Sequence, residues 1–176
     1  MQIIKKIFSI LKYFKKKIDI ILIFGKKNNN SSIKFHNISV FQIKKKNKKI
    51  LSFFSREKKI LFTLNNKGKA YVLYDKNKNQ PVGSCWYYKV KKNWYVEEIN
   101  KYINFKDIGL LYDFYILKKF RNRGYYKIFL NSMLQKFSKD KIQIYCSLFN
   151  YYSLKGIIKS NFSLKKICNN FWIFNR

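Results

Sequence analysis

The chain has 176 residues, 39 of them Lys or Arg against 8 Asp or Glu, for a net charge of +31. That length fits one domain with its own core, and a single histidine with three widely spaced cysteines, Cys85, Cys146 and Cys168, excludes a zinc-ligand spacing and suits free thiols in a reducing cytoplasm. The charge points to an anionic partner, yet Lys, Asn, Ile, Phe and Tyr are abundant together, as an A- and T-rich coding sequence would give, so the charge alone selects none.

From the N-terminus, Ile3, Ile4, Ile7, Phe8, Leu11, Phe14 and Ile18 fall at helical spacing, interrupted by Lys5, Lys6, Lys12, Lys15, Lys16 and Lys17. The apolar run Ile18 to Phe24 contains Asp19 and is too short to span a bilayer. No uninterrupted apolar core with a small-residue cleavage site marks a secretory signal. The spacing predicts a basic amphipathic helix over Met1 to Lys27. It would lie on an anionic membrane surface, at the inner face of the membrane, or pack on the domain with its lysines in water. Lys26 to Ser32, rich in Asn and Ser, reads as a linker. Residues 1–32 are thus an expected extension and 33–176 the expected domain.

Ile38 to Ile43 is a candidate first strand, and Lys48 to Leu64 carries helix-like spacing at Ile50, Leu51, Phe54 and Leu61. The runs Ala70–Tyr74 and Val82–Tyr88 flank the polar turn Asp75–Pro81, a hairpin signal. Trp86, Tyr87, Tyr88, Trp94 and Tyr95 then form an aromatic cluster, either a stacking wall for a sugar or base or simply core. Glu97 and Glu98 either attract a cationic amine or form a solvated turn among lysines. Asp107 to Ile116 extends the sheet.

The next stretch carries the chemistry. A strand ending at Ile116 and Leu117 leads through Lys118, Lys119, Phe120, Arg121, Asn122 and Arg123 to Gly124. A helix follows, with Tyr126, Phe129, Leu130, Met133, Leu134 and Phe137 on one apolar face and Lys127, Asn131 and Gln135 on the other. A helix start leaves backbone N–H groups aimed outward, and its dipole adds partial positive charge. Gly124 permits a tight turn and close approach of a phosphate. Arg121 and Arg123 add forked donors. A basic loop with no ligand is the alternative at this junction. Beyond it come a strand, Lys141 to Leu148, then Asn150 with Ser153 three residues on, then Asn161-Phe162. Two apolar runs, Phe162–Cys168 and Phe171–Phe174, flank Asn169-Asn170 as a further hairpin.

In order and spacing, Val82 to Arg176 resembles the GNAT superfamily of N-acetyltransferases. The resemblance rests on the strand, Arg121-Asn122-Arg123-Gly124-Tyr125-Tyr126 opening a helix, the second strand, Asn150, and Asn161-Phe162. It implies an α/β fold with a twisted, mostly antiparallel mixed sheet, splayed at the strands containing Ile116 and Ile144. It also implies transfer of an acetyl group from acetyl-CoA to a primary amine, with no metal. Ile116 and Leu117 would bind the acetyl and pantetheine end through main-chain groups. Arg121, Asn122, Arg123, Gly124, Tyr125, Tyr126 and Lys127 would bind the pyrophosphate, and Asn150 would face the pantetheine arm or the reaction centre.

Two positions depart from the family pattern. Tyr126 replaces a small residue of the phosphate loop, so its ring either crowds the diphosphate or turns onto the apolar helix face. Ile157 stands where many members carry an acidic tyrosine, which leaves Tyr151 or Tyr152 as substitutes. Asp113 is the candidate base, or else a strand carboxylate paired with a lysine. The acceptor is a small amine, with an amino sugar or sugar nucleotide suited to the aromatic cluster. Two other functions stay open: a GNAT fold without catalysis at a membrane surface, and a basic nucleic-acid-binding module, whose aromatics among lysines suit single strands but which lacks a recognised RNA motif.

Overall fold

The computed structural model describes residues 20–27, 37–43 and 69–169. Among them lie nine strands: β1 (Ile20–Lys26), β2 (Ile38–Gln42), β3 (Lys69–Asp75), β4 (Gln80–Lys89), β5 (Asn93–Val96), β6 (Lys101–Asn104), β7 (Gly109–Ile116), β8 (Ile142–Ser147) and β9 (Phe162–Asn169). Two α-helices accompany them, α1 (Tyr125–Lys136) and α2 (Tyr151–Ile158). Seven strands form one sheet in the order β2-β3-β4-β7-β8-β1-β9, and β5 and β6 pair as a separate hairpin. All neighbours in the large sheet are antiparallel except β7 and β8. That parallel step needs a crossover, and α1 supplies it. The expected mostly antiparallel mixed α/β architecture is what the chain adopts.

One expectation is corrected. Ile20–Lys26 is an interior strand of the sheet, next to the edge strand β9, with no part in a helical extension. It pairs with β8 on one side and β9 on the other. Its side chains alternate into two cores: Leu22 and Phe24 pack beneath the helices, while Ile21 and Ile23 pack beneath the β5–β6 hairpin. A strand buried on both faces shows no polar alternation, so its continuous apolar run is indistinguishable from part of a helix by periodicity. The expected amphipathic helix over residues 1–19, the linker over 28–32 and the helical spacing over 48–64 lie outside the described residues. So does Phe171–Phe174, the second arm of the expected C-terminal hairpin; β9, its first arm, pairs with β1.

The two cores sandwich the sheet. Phe129, Leu130, Met133 and Leu134 of α1, with Leu154 and Ile157 of α2, cover one face with Leu111 and Ile144. Val96, Ile99, Ile103 and Phe105 cover Leu110, Ile21 and Ile23 on the other. Asn131, which the helical wheel puts on the polar side, is buried and accepts a hydrogen bond from the Asn161 backbone N–H at 3.4 Å. It thereby links α1 to the start of β9.

Candidate active site

The strands β7 and β8 pair over three positions only, Gly109↔Ile142, Leu110↔Gln143 and Leu111↔Ile144. Beyond these the strands part, and the sheet forks as the family resemblance implies. On its other edge β7 carries a bulge against β4. Ser84 opposes Tyr115 and Trp86 opposes Tyr112, so Cys85 faces both Asp113 and Phe114. Asp113 sits at φ 49°, a left-handed conformation that Asp tolerates better than most residues. A bulge re-aims side chains and leaves one residue out of the ladder. Here it presents Asp113 and Phe114 to the fork.

The fork encloses a cavity of about 970 Å³. Ile144 and Cys146 of β8 and Tyr112 of β7 line it, with Tyr88, Trp94, Glu97 and Glu98 from the end of β4, the β5 strand and the turn after it. Asn150 at the head of α2, Ser153 and Ile157 of α2, and Tyr126, the one residue of α1 that lines it among the described residues, also contribute.

Three carboxylates, Asp113, Glu97 and Glu98, line this cavity in a chain with only eight acidic residues. Their fields converge on Tyr145. Burial above all pushes its phenol up to about 12; the Trp94 N–H opposes this, and the lesser charges of Glu98, Glu97 and Asp113 add to it. The Trp94 Nε1 is shut off from solvent and meets no partner at hydrogen-bond geometry. Burial and the Glu98 charge push the Cys146 thiol up to about 12. A thiol so raised is mostly protonated at neutral pH, which disfavours Cys146 as a nucleophile. Burial and the Asp113 charge likewise hold Cys85 well above its ordinary value.

The loop at the head of α1 is open. Asn122 at φ 62° and Gly124 at φ 79° both adopt left-handed conformations and coil the chain tightly before the helix. The first bond out of the loop runs from the Ile128 N–H to the Gly124 carbonyl at 3.1 Å, and no side chain caps the helix. A Cβ at Gly124 would meet nothing within 4 Å. No side chain caps the amides ahead of Ile128, and the space about Gly124 is open, as an anion site requires. Arg123 and Lys127 are exposed beside them. Arg121 folds back instead: its Nε donates to the Ile116 carbonyl at 3.1 Å, and its guanidinium lies over the Tyr115 ring, 5.6 Å from the centroid.

The other residues singled out from the sequence divide as follows. The Leu117 N–H donates to the Val82 carbonyl at 3.0 Å, so this main-chain donor is engaged in the sheet and does not point into the fork. Ile116 is buried at the end of β7. Tyr125 is buried, and its hydroxyl donates to Asp75 at the end of β3. Tyr126 takes the second of its two expected orientations. Its ring packs edge-on to Phe114, 5.5 Å between centroids, and against Gly156 of α2, and its hydroxyl bonds to Ser153. Asn150 caps α2, its Oδ1 accepting the Ser153 N–H at 3.2 Å, and lines the cavity. Tyr151 is 47 % exposed and stands outside the cavity lining, whereas Ile157 is fully buried in it. The aromatic cluster splits, and on β4 alternation turns Tyr87 to the face opposite Tyr88. Tyr88, Trp94 and Tyr95 line the cavity. Tyr87 stacks on Phe137 beneath α1, and Trp86 is buried among Ala70, Val72 and Ile43.

No family model matches the sequence, and no curated protein matches it. Solved structures do. A GNAT-family acetyltransferase from Colwellia psychrerythraea is similar at 9% identity and a TM-score of 0.57, over 84% of this chain and 53% of that one. A GCN5-related N-acetyltransferase-like protein from Streptococcus suis 89/1591 is similar at 11% identity and a TM-score of 0.53, over 92% and 64%. A GCN5-related glucosamine N-acetyltransferase region of a fungal multi-domain β-N-acetylglucosaminidase is similar at 12% identity and a TM-score of 0.58, over 92% of this chain and 22% of that one. The chain spans less than two thirds of the length of each of these proteins. With the forked sheet, the bulge and the open helix head in place, the chain has the GNAT acetyltransferase fold.

Proposed function

We propose that the protein transfers an acetyl group from acetyl-CoA to a primary amine of a small molecule. The observation that carries this reading is the fork between β7 and β8 lying next to the uncapped head of α1, so that a cleft for a thin chain adjoins a site for its phosphates. The amides before Ile128, with Arg123 and Lys127, would take the pyrophosphate; Asn150 and Ser153 would flank the pantetheine arm. The thioester would then lie between Phe114 and Cys146. The amine nitrogen attacks the thioester carbonyl, a C–N bond forms, the C–S bond breaks, and the sulfur leaves as a thiolate that takes up a proton. Asp113, at the bulge and in the cavity, is the group placed to receive the proton of the ammonium directly or through water. With Ile157 in the wall and Tyr151 outside it, the Tyr126 hydroxyl, in the wall beside α2, is the proposed proton donor to the thiolate.

A glucosamine-type acceptor is a second reading of the same site, supported by the rings of Tyr88, Trp94 and Tyr95 and by the fungal structure named above. A GNAT fold without catalysis is a third, supported by Ile157. The test is binding of CoA by calorimetry together with thiol release from acetyl-CoA over a panel of amines. Arg123→Ala and Gly124→Asp are each expected to weaken CoA by about 1–3 kcal/mol, the worth of one charge-assisted contact. Unchanged affinity in both variants defeats the reading.

A further inference from the structure

The distribution of acid in this chain is its least random feature. Basic residues outnumber acidic ones 39 to 8 overall, yet the fork cavity is lined by three carboxylates against two lysines, Lys91 and Lys92. The carboxylates come from separate elements: Asp113 from the β7 bulge, Glu97 and Glu98 from the turn after β5. Folding therefore gathers them. Beside them stands an aromatic corner, with Tyr88 5.5 Å and Tyr112 5.2 Å from Trp94, centroid to centroid. Rings in this arrangement attract an ammonium through their faces.

Resting on the acetyl-transfer reading, we propose that the acceptor is a di- or polyamine. Its reacting nitrogen lies at Asp113, and its distal ammonium lies between Glu97, Glu98 and the Tyr88–Trp94–Tyr112 corner. A diphosphate-linked sugar fits this part of the cavity poorly, because its anionic groups would face the same carboxylates. The overall +31 does not forbid a cation here. At physiological ionic strength charges act over about 8 Å, so distant lysines are screened while carboxylates within that reach of a bound cation still act on it.

The test uses the full chain and three probes: spermidine, n-butylamine and UDP-glucosamine. Calorimetry gives binding with CoA present or absent, and thiol release gives turnover. Spermidine should bind at least about tenfold more tightly than n-butylamine, with an affinity that falls as salt rises. Glu97→Gln with Glu98→Gln should weaken spermidine about five- to tenfold and change n-butylamine less than about twofold. Both glutamates are exposed, so the variant is expected to fold. Tighter binding of UDP-glucosamine, or spermidine affinity indifferent to the double substitution, overturns the proposal. Glutamate-dependent spermidine binding without any thiol release would sustain the ligand class while refuting the acetyl-transfer reading.

Discussion

Tyr126 and Gly156 are matched at the level of single atoms. A Cβ built at Gly156 would lie 2.1 Å from Cδ1 and 2.5 Å from Cε1 of the Tyr126 ring. The ring cannot easily give way, because it also packs edge-on with Phe114 and Ser153 bonds its hydroxyl. Alanine is otherwise better than glycine inside a helix by up to about 1 kcal/mol. Overpacking a core costs about 1–3 kcal/mol. The clash should win, so Gly156→Ala lowers the thermal midpoint in the parent chain. In a Tyr126→Ala background the sign should reverse, and the same substitution should stabilise. Chemical denaturation of the four members of this cycle checks it; additive effects would mean that ring and glycine are not in contact. Tyr126→Ala also restores the small residue expected at this loop. Since Tyr126 is the only residue α1 gives to the cavity wall among the described residues, removing its ring should join the cavity to the helix head and tighten CoA.

At the scale of elements, Asp75 at the end of β3 holds the head of α1 through the Tyr125 hydroxyl. The Asp75 carboxylate is buried, which alone would raise its pKa. The bond from Tyr125, the backbone N–H groups of Lys78 and Asn77 and the Lys78 charge outweigh that and hold it below the ordinary carboxylate value. A depressed folded pKa means stability that is complete above the unfolded pKa, near 4, and lost as pH falls through the folded one. Tyr125 titrates the other way. Burial, then the bond and charge of Asp75, raise it to about 12, so its contribution persists up to about pH 10 and fades beyond. Asp75→Asn should cost about 1–2 kcal/mol at neutral pH and flatten the acid limb of stability against pH. An acid limb identical to the parent chain would refute the tie. Such long-range pairs are illegible in a sequence, because nothing in the spacing of Asp75 and Tyr125 joins them. The loop itself is legible: strand, basic residues, glycine and a 3.6-residue apolar period mark α1 to within a residue. β3 and β4 are legible through their polar turn. β5 and β6 are not, being four residues each among lysines and asparagines. The gathering of Glu97, Glu98 and Asp113 is a product of topology, as is the engagement of the Leu117 amide, and neither leaves a periodic trace.

For the whole molecule, the position of β1 decides what the N-terminal third can be removed without harm. Ile21, Leu22, Ile23 and Phe24 are all at most 9 % exposed, and they enter both cores. Burying each such side chain is worth about 1.5–3 kcal/mol, while a domain is stable by only about 5–15 kcal/mol in all. The strand also supplies the ladder that joins β9 to the sheet, since β9 has no other neighbour among the described residues. Deleting residues 1–27 should therefore abolish cooperative folding, and any loss of membrane or ligand binding in that variant would say nothing about a basic extension. Deleting residues 1–18 spares β1, whose first residue is Ile20. That shorter deletion should keep a single cooperative melt, and it is the variant in which vesicle co-sedimentation can test a membrane role for the six lysines before Ile18. A cooperative melt for the 1–27 deletion would show that β1 is dispensable and that the sheet closes without it. Because β1 lies beside β8, and β8 is one arm of the fork, the same strand that completes the core also fixes the wall of the cavity. Stability and the geometry of the site should accordingly fail together when β1 is weakened. Ile23→Ala, in the core beneath the β5–β6 hairpin, should lower both the thermal midpoint and the affinity for spermidine.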